Sequence, residues 1–247
     1  GNKYFSPYEN PRLQDGLDGE HLPDRLAVET VKFIEKNKEK PFFAFLSFYS
    51  VHTPLISRKD LEKKYLDRKI KRGLFAKWGQ EHNRQVRLVQ EHAVYAGMVE
   101  AMDSAVGKVL DGLKRFRLDE NTVVFFMSDN GGLSTSEGHP TSNLPLRGGK
   151  GWIYEGGIRE PMIVRWPNVT EPGSDSNALV MSTDFFPTIL ELVGIKDKLP
   201  FPIDGMSFTN ALRSKKYERG TIYWHYPHYG NQGSAPAGAV REGDWKL

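Results

Sequence analysis

The chain has 247 residues, 34 Lys or Arg against 31 Asp or Glu, no cysteine, and a mean hydropathy of -0.53. That length accommodates one large domain with a small appendage, and the absence of cysteine excludes disulfides, thiolate metal sites and cysteine nucleophiles within these residues. A net charge of +3 makes no case for nucleic acid, and no apolar run approaches the roughly 20 residues that span a bilayer.

The opening Gly-Asn-Lys-Tyr shows no basic and apolar leader, so a signal peptide is expected to be absent or already removed. Asp24 to Lys40 places Leu26, Thr30, Phe33 and Ile34 at helical spacing and predicts an amphipathic helix. Pro41 to Tyr49, dense in aromatic and aliphatic residues, predicts a strand that runs into Ser50-Val51-His52-Thr53-Pro54. Basic residues then cluster between Ser57 and Lys77, which suits either a solvated helix or a surface that attracts polyanions. Gln85 to Phe116 carries apolar residues at steps of three and four and predicts a long helix. A second buried strand, Val123 to Met127, ends in Ser128-Asp129-Asn130-Gly131-Gly132. A glycine-rich loop, a short strand over Pro161 to Trp166 and a capped helix over Ser182 to Gly194 follow. Helices alternating with strands that are apolar on both faces predict an α/β fold with a mainly parallel sheet covered on both sides. Past Pro202 the texture changes to two strands of a small antiparallel element, which divides the chain into domains 1–202 and 203–247.

Two predicted strand ends present polar groups where α/β sheets bind ligands. Asp129 and Asn130 offer adjacent hard oxygen donors, suited to calcium or magnesium. Alone, the same residues also fit an Asx-turn that ends a strand, and a lone His52 also fits a structural role. Pro145 to Pro161 sets Arg147 and Lys150 among five glycines, followed by Tyr154, Glu155 and Arg159. Glycines let backbone approach a ligand and the two cations suit an oxyanion. The glycine spacing matches neither a Walker loop nor a dinucleotide fingerprint.

"SFYSVHTP", "FFMSDNGG", "LRGGKGWIYEGGIREPMIVRWP" and "STDFFPTILELVGI" together resemble the sulfatases of the alkaline-phosphatase superfamily, bacterial type, along essentially the whole chain. The resemblance implies a sulfuric ester hydrolase acting on a sulfated small molecule or glycan. It implies one divalent cation, usually calcium, on Asp129 and Asn130, sulfate contacts from Lys150 and His52, and a periplasmic, extracellular or cell-surface location. Arg147 and His139 are candidate substrate contacts within the loop. His225 and His228, in a tail resembling the small C-terminal domain of bacterial members, are candidates for the sugar. The family's nucleophile is a formylglycine made within a Cys/Ser-x-Pro/Ala-x-Arg motif, which this sequence lacks, together with the acidic ligand pair that precedes it. The chain is therefore expected to be a sulfatase fragment without its nucleophile-bearing part, inactive alone. The alternatives are a phosphate or phosphonate monoester hydrolase of the same superfamily, and a non-catalytic protein that binds sulfated glycans. Oligomeric state is not readable from the sequence.

Overall fold

The computed structural model describes residues 3–195 and 201–247; Gly1 and Asn2, where the sequence shows no leader pattern, lie outside them. Packing separates two units, one of residues up to Asp119 with Asp129–Glu160 and Tyr229–Ala235, the other of Glu120–Ser128, Pro161–His228 and Pro236–Leu247.

In the first unit, helices α1 (Leu22–Asn37) and α2 (Lys59–Lys71) pack on the longer α3 (Ala93–Arg115). The reason lies in a stripe of small residues on α3. Gly97, Ala101 and Ala105 recur every four residues on one face and are buried. A Cβ at Gly97 would lie 2.3 Å from Ser57 Oγ, and one at Gly112 would lie 3.0 Å from Val31 Cγ2. Backbone thus approaches side chain directly at both crossings. The basic run forms α2 and its N-terminal flank, and Arg58, Lys59, Lys63, Lys64 and Lys69 each pair with a carboxylate. Five of the nine basic residues between Ser57 and Lys77 are thus ion-paired.

Two expectations change here. The long helix begins at Ala93 rather than Gln85, because Arg84–Arg87 (β2) pairs antiparallel with Trp78–Glu81 (β1). The hairpin turns at His82, which is in the left-handed region at φ 50°. His92 then caps α3, its Nδ1 accepting from the Tyr95 amide at 3.3 Å. Pro41 to Tyr49 is apolar as expected but forms no ladder among the described residues. Phe43 and Phe45 are 66% and 83% exposed. A strand is defined by its partner, and local apolarity does not provide one.

The second unit is built on aromatic packing. Val124–Met127 (β3) pairs antiparallel with Met162–Arg165 (β4), from Val124 opposite Arg165 to Met127 opposite Met162. Phe125 meets Phe185 edge-on at 5.6 Å and Phe208 at 6.1 Å. Phe208 is fully buried. Phe185 opens α5 (Phe185–Leu192), which stops at Gly194 with φ 76°, as the capped-helix pattern requires. The tail forms three strands where two were expected. Ile222–Tyr226 (β5) pairs with Ala237–Glu242 (β6), and Trp245–Lys246 (β7) turns back onto β6. All ladders of the described residues are antiparallel. Among those residues no helix is long and apolar enough to cross a membrane.

Candidate active site

The segment after β3 is held by backbone contacts that only glycine permits. The Gly131 amide donates to the Gly157 carbonyl at 3.1 Å, and a Cβ on Gly131 would sit 1.8 Å from the Gly156 carbonyl oxygen. The Lys150 amide donates to the Gly132 carbonyl at 3.1 Å. Asn143 Nδ2 donates to the carbonyls of Gly132 and Gly148 at 2.8 and 3.0 Å. The Asp-Asn-Gly-Gly and Gly-Gly-Lys-Gly motifs, separated by residues 133–147, therefore form one stitched layer. Asn130 donates its amide nitrogen to the Gly131 carbonyl at 3.1 Å, and Asp129 is exposed at the rim.

Lys150 Nζ lies 2.9 Å from His52 Nε2. His52 Nδ1 is 2.9 Å from the Thr53 carbonyl, and a carbonyl only accepts, so Nδ1 carries the hydrogen. Nε2 is then the acceptor for the lysine ammonium. The His52 backbone is itself anchored: its carbonyl accepts from the Tyr4 hydroxyl at 2.7 Å, and its amide donates to the Tyr49 carbonyl at 3.0 Å. Tyr4 is buried, and burial pushes its phenol well above the ordinary range. Tyr4 was not singled out in the sequence, and nothing local to it marks the role.

The same residues match a sulfatase family model over 1–195, and a model of the N-sulphoglucosamine sulphohydrolase C-terminal region matches 149–247. The chain belongs to the sulfatase family. It is 36% identical over 249 residues to a sulfatase of Formosa agariphila, covering 94% of this chain and 41% of that protein. It is 34% identical over 212 residues to human steryl-sulfatase, covering 82% of this chain and 31% of that protein. The solved structure of Ps i-CgsB superposes with a TM-score of 0.76 at 29% identity, covering 95% of this chain and 47% of that one. The chain thus spans less than half the length of these relatives, and its fold is the α/β fold of alkaline-phosphatase-like sulfatases.

The other residues of this sulfatase chain take separate places. Arg147 forms a two-pronged pair with Glu81 of the hairpin at 2.7 to 3.1 Å, and its guanidinium lies 3.9 Å over the Tyr154 ring. The pair lowers the Glu81 carboxyl below its ordinary range. His139 sets its ring edge-on to Trp78 at 5.4 Å, and burial lowers its affinity for a proton. His225 lies on β5 opposite Gly238, and His228 meets Tyr226 edge-on, both within the second unit. Tyr154 stacks parallel to Trp152 at 5.9 Å.

Glu160 was missed in the sequence, yet it carries the clearest electrostatic signal near Asp129. Its Oε1 is buried without a hydrogen-bond partner, and burial, then the charge of Asp129, raises its carboxyl from 4.5 to about 7. Unpaired carboxylate oxygen beside Asp129 and Asn130 is a hard donor set that fits a divalent cation in kind. In number it falls short: among the described residues no group of three or more His, Asp or Glu is arranged to hold a metal. The shift has a sign that can be tested. Between pH 4.5 and about 7 the folded state keeps a proton that the unfolded chain has released, so stability falls as pH rises through that window. Glu160→Gln is expected to be more stable than wild type by about 1–2 kcal/mol at pH 8 and nearly equal to it at pH 4.5. Thermal melts at the two pH values check this, and equal differences at both would refute it.

Proposed function

We propose that the whole protein hydrolyses sulfuric esters and that its substrate is a sulfated carbohydrate. The observation that carries this is the contact of Lys150 with His52 on a loop whose backbone is bonded to the Asp129-Asn130-Gly131-Gly132 segment. A sulfate ester builds charge on its sulfonyl oxygens as the bond to the leaving oxygen breaks. The Lys150 ammonium has three hydrogens: one stays on His52 Nε2, and the others are available to sulfate oxygens. His52, oriented by the Thr53 carbonyl, holds that ammonium in place before substrate arrives, which is where preorganised charge is most effective.

Asp129 and Asn130 would hold the cation, with Glu160 behind Asp129, and the ion would supply further positive charge at the sulfate. Calcium suits these oxygen donors. The 247 residues contain neither cysteine nor a serine in the formylglycine motif, so the nucleophile is assigned to a formylglycine outside them. The carbohydrate assignment draws on Ps i-CgsB, solved in complex with k-i-k-neocarrahexaose. His225 and His228 are proposed to contact the sugar, and Arg147 and His139 to line the loop around it. A periplasmic, extracellular or cell-surface location accompanies this substrate, as does the division into domains 1–202 and 203–247.

Phosphate monoesters are the competing substrate class. The whole protein is expected to turn over an aryl sulfate at least about a hundredfold faster, by kcat/KM, than the matched phosphate, because one cation with one lysine suits a singly charged ester. Equal or faster phosphate turnover would reverse the assignment.

A further inference from the structure

An open surface groove of about 550 Å³ is lined by Tyr49, His52, Thr53, Pro54, Leu55 and Glu137, and Lys150 contacts its His52. Glu137 is the one acidic side chain among these lining residues, which also include the His52 that contacts Lys150. We propose that Glu137 determines specificity by accepting hydrogen bonds from hydroxyls on the organic part of the ester, and by rejecting esters that carry a second anionic group there. The proposal rests on the sulfatase activity proposed for the whole protein.

The local structure is arranged to present this side chain. Ser134, Thr135, Ser136, Thr141 and Ser142 are buried and anchor the loop, whereas Glu137 is exposed between them. Glu137, Gly138 and His139 are all left-handed, at φ 49°, 88° and 49°. Two such departures by non-glycine residues, on either side of Gly138, are costly and persist only where the surroundings impose them. Here the His139 amide donates to the Ser136 carbonyl at 2.8 Å and closes the turn. The carboxylate is then aimed from both sides. Its Oε2 accepts from Thr53 Oγ1 at 3.1 Å and its Oε1 from Asn231 Nδ2 at 2.6 Å.

A carboxylate offers about four lone-pair positions, and these two bonds leave room for donors from a ligand. Lys150 meets the lining residue His52 and Glu137 lines the same groove, so the two charges set the direction of binding. The sulfate is drawn to Lys150 and repelled from Glu137, so the organic part faces Glu137. Hydroxyls donate to a carboxylate, whereas a neighbouring sulfate or carboxylate group is repelled by it. Tyr49 adds an aromatic face against which the apolar side of a sugar ring can lie. Glu137 does not act on the reacting sulfur, and its effect is on which ester is chosen.

The test uses the whole protein and three substrates: a monosulfated monosaccharide, the same sugar with a second sulfate on an adjacent hydroxyl, and para-nitrophenyl sulfate. In Glu137→Gln, the ratio of kcat/KM for the monosulfated sugar to that for the aryl sulfate is expected to fall about tenfold. The ratio for the disulfated over the monosulfated sugar is expected to rise about tenfold, because the repelling charge is gone. Asn231→Ala releases one anchor but keeps the carboxylate, so it is expected to retain discrimination against the disulfated sugar. Ratios within about twofold of wild type in Glu137→Gln would overturn the proposal. So would the same loss of discrimination in both variants, accompanied by a lower melting temperature, since Glu137 would then be only a loop anchor. Wild-type protein that hydrolyses none of the three esters would sink the sulfatase activity and this proposal with it. Turnover of the aryl sulfate with flat ratios would sink the role of Glu137 alone.

Discussion

Lys150→Ala in the whole protein is expected to lower kcat/KM by about 10²–10³ on aryl and carbohydrate sulfates alike. The loss would be common to both because the lysine is proposed to face the sulfate, which every substrate shares, and not the organic part. It is expected mainly in kcat, since the charge on the sulfonyl oxygens grows toward the transition state. Folding is expected to be nearly untouched. The fixed part of Lys150 is its backbone amide on the Gly132 carbonyl, which alanine keeps, and its side chain meets the exposed His52. The melting temperature is therefore expected to stay within about 3 °C of wild type. Lys150→Arg is expected to recover only part of the activity, because a planar guanidinium cannot both bond His52 Nε2 and present the same point charge. Steady-state kinetics on the two ester classes, with a parallel thermal melt, check all of this. A loss smaller than about tenfold would remove Lys150 from the sulfate site.

The largest effect on stability is expected from Asp184. This carboxylate is fully buried in the second unit and holds three segments together. It accepts from the Met181 amide at 2.8 Å, the Met206 amide at 2.8 Å and Arg219 Nε at 3.2 Å, with Arg219 Nη2 also 3.2 Å from its other oxygen. Removing it strands two part-buried amides and leaves the Arg219 guanidinium without its counter-charge. Asp184→Ala is therefore expected to cost about 3–5 kcal/mol, the range for breaking one side of a buried ion pair. Asp184→Asn keeps the shape and some of the hydrogen bonds, so its cost is expected to be smaller. Denaturant unfolding of the two variants measures both, and a cost below about 1 kcal/mol for alanine would show that the network relaxes around the loss.

Family membership and the stronger local patterns were legible in the sequence. α1, β4 and α5 stand close to where periodicity and capping residues placed them, because their formation rests on local spacing, proline and glycine signals. The density of glycine around Lys150 and after Asp129 was legible too, but it was read as letting backbone approach a ligand, whereas the structure shows the two segments bonded to each other. What the sequence withheld are the contacts made across long separations. β2 of the hairpin hid at the start of an apparent helical repeat, and only the pairing of Trp78 with Arg87 decides its register. Tyr4 reaches the His52 carbonyl across 48 positions, and Glu137 reaches Thr53 across 84. Such contacts depend on where separate segments meet. Residue type and spacing determine which groups are able to act at this site; burial and tertiary packing decide which of them face one another.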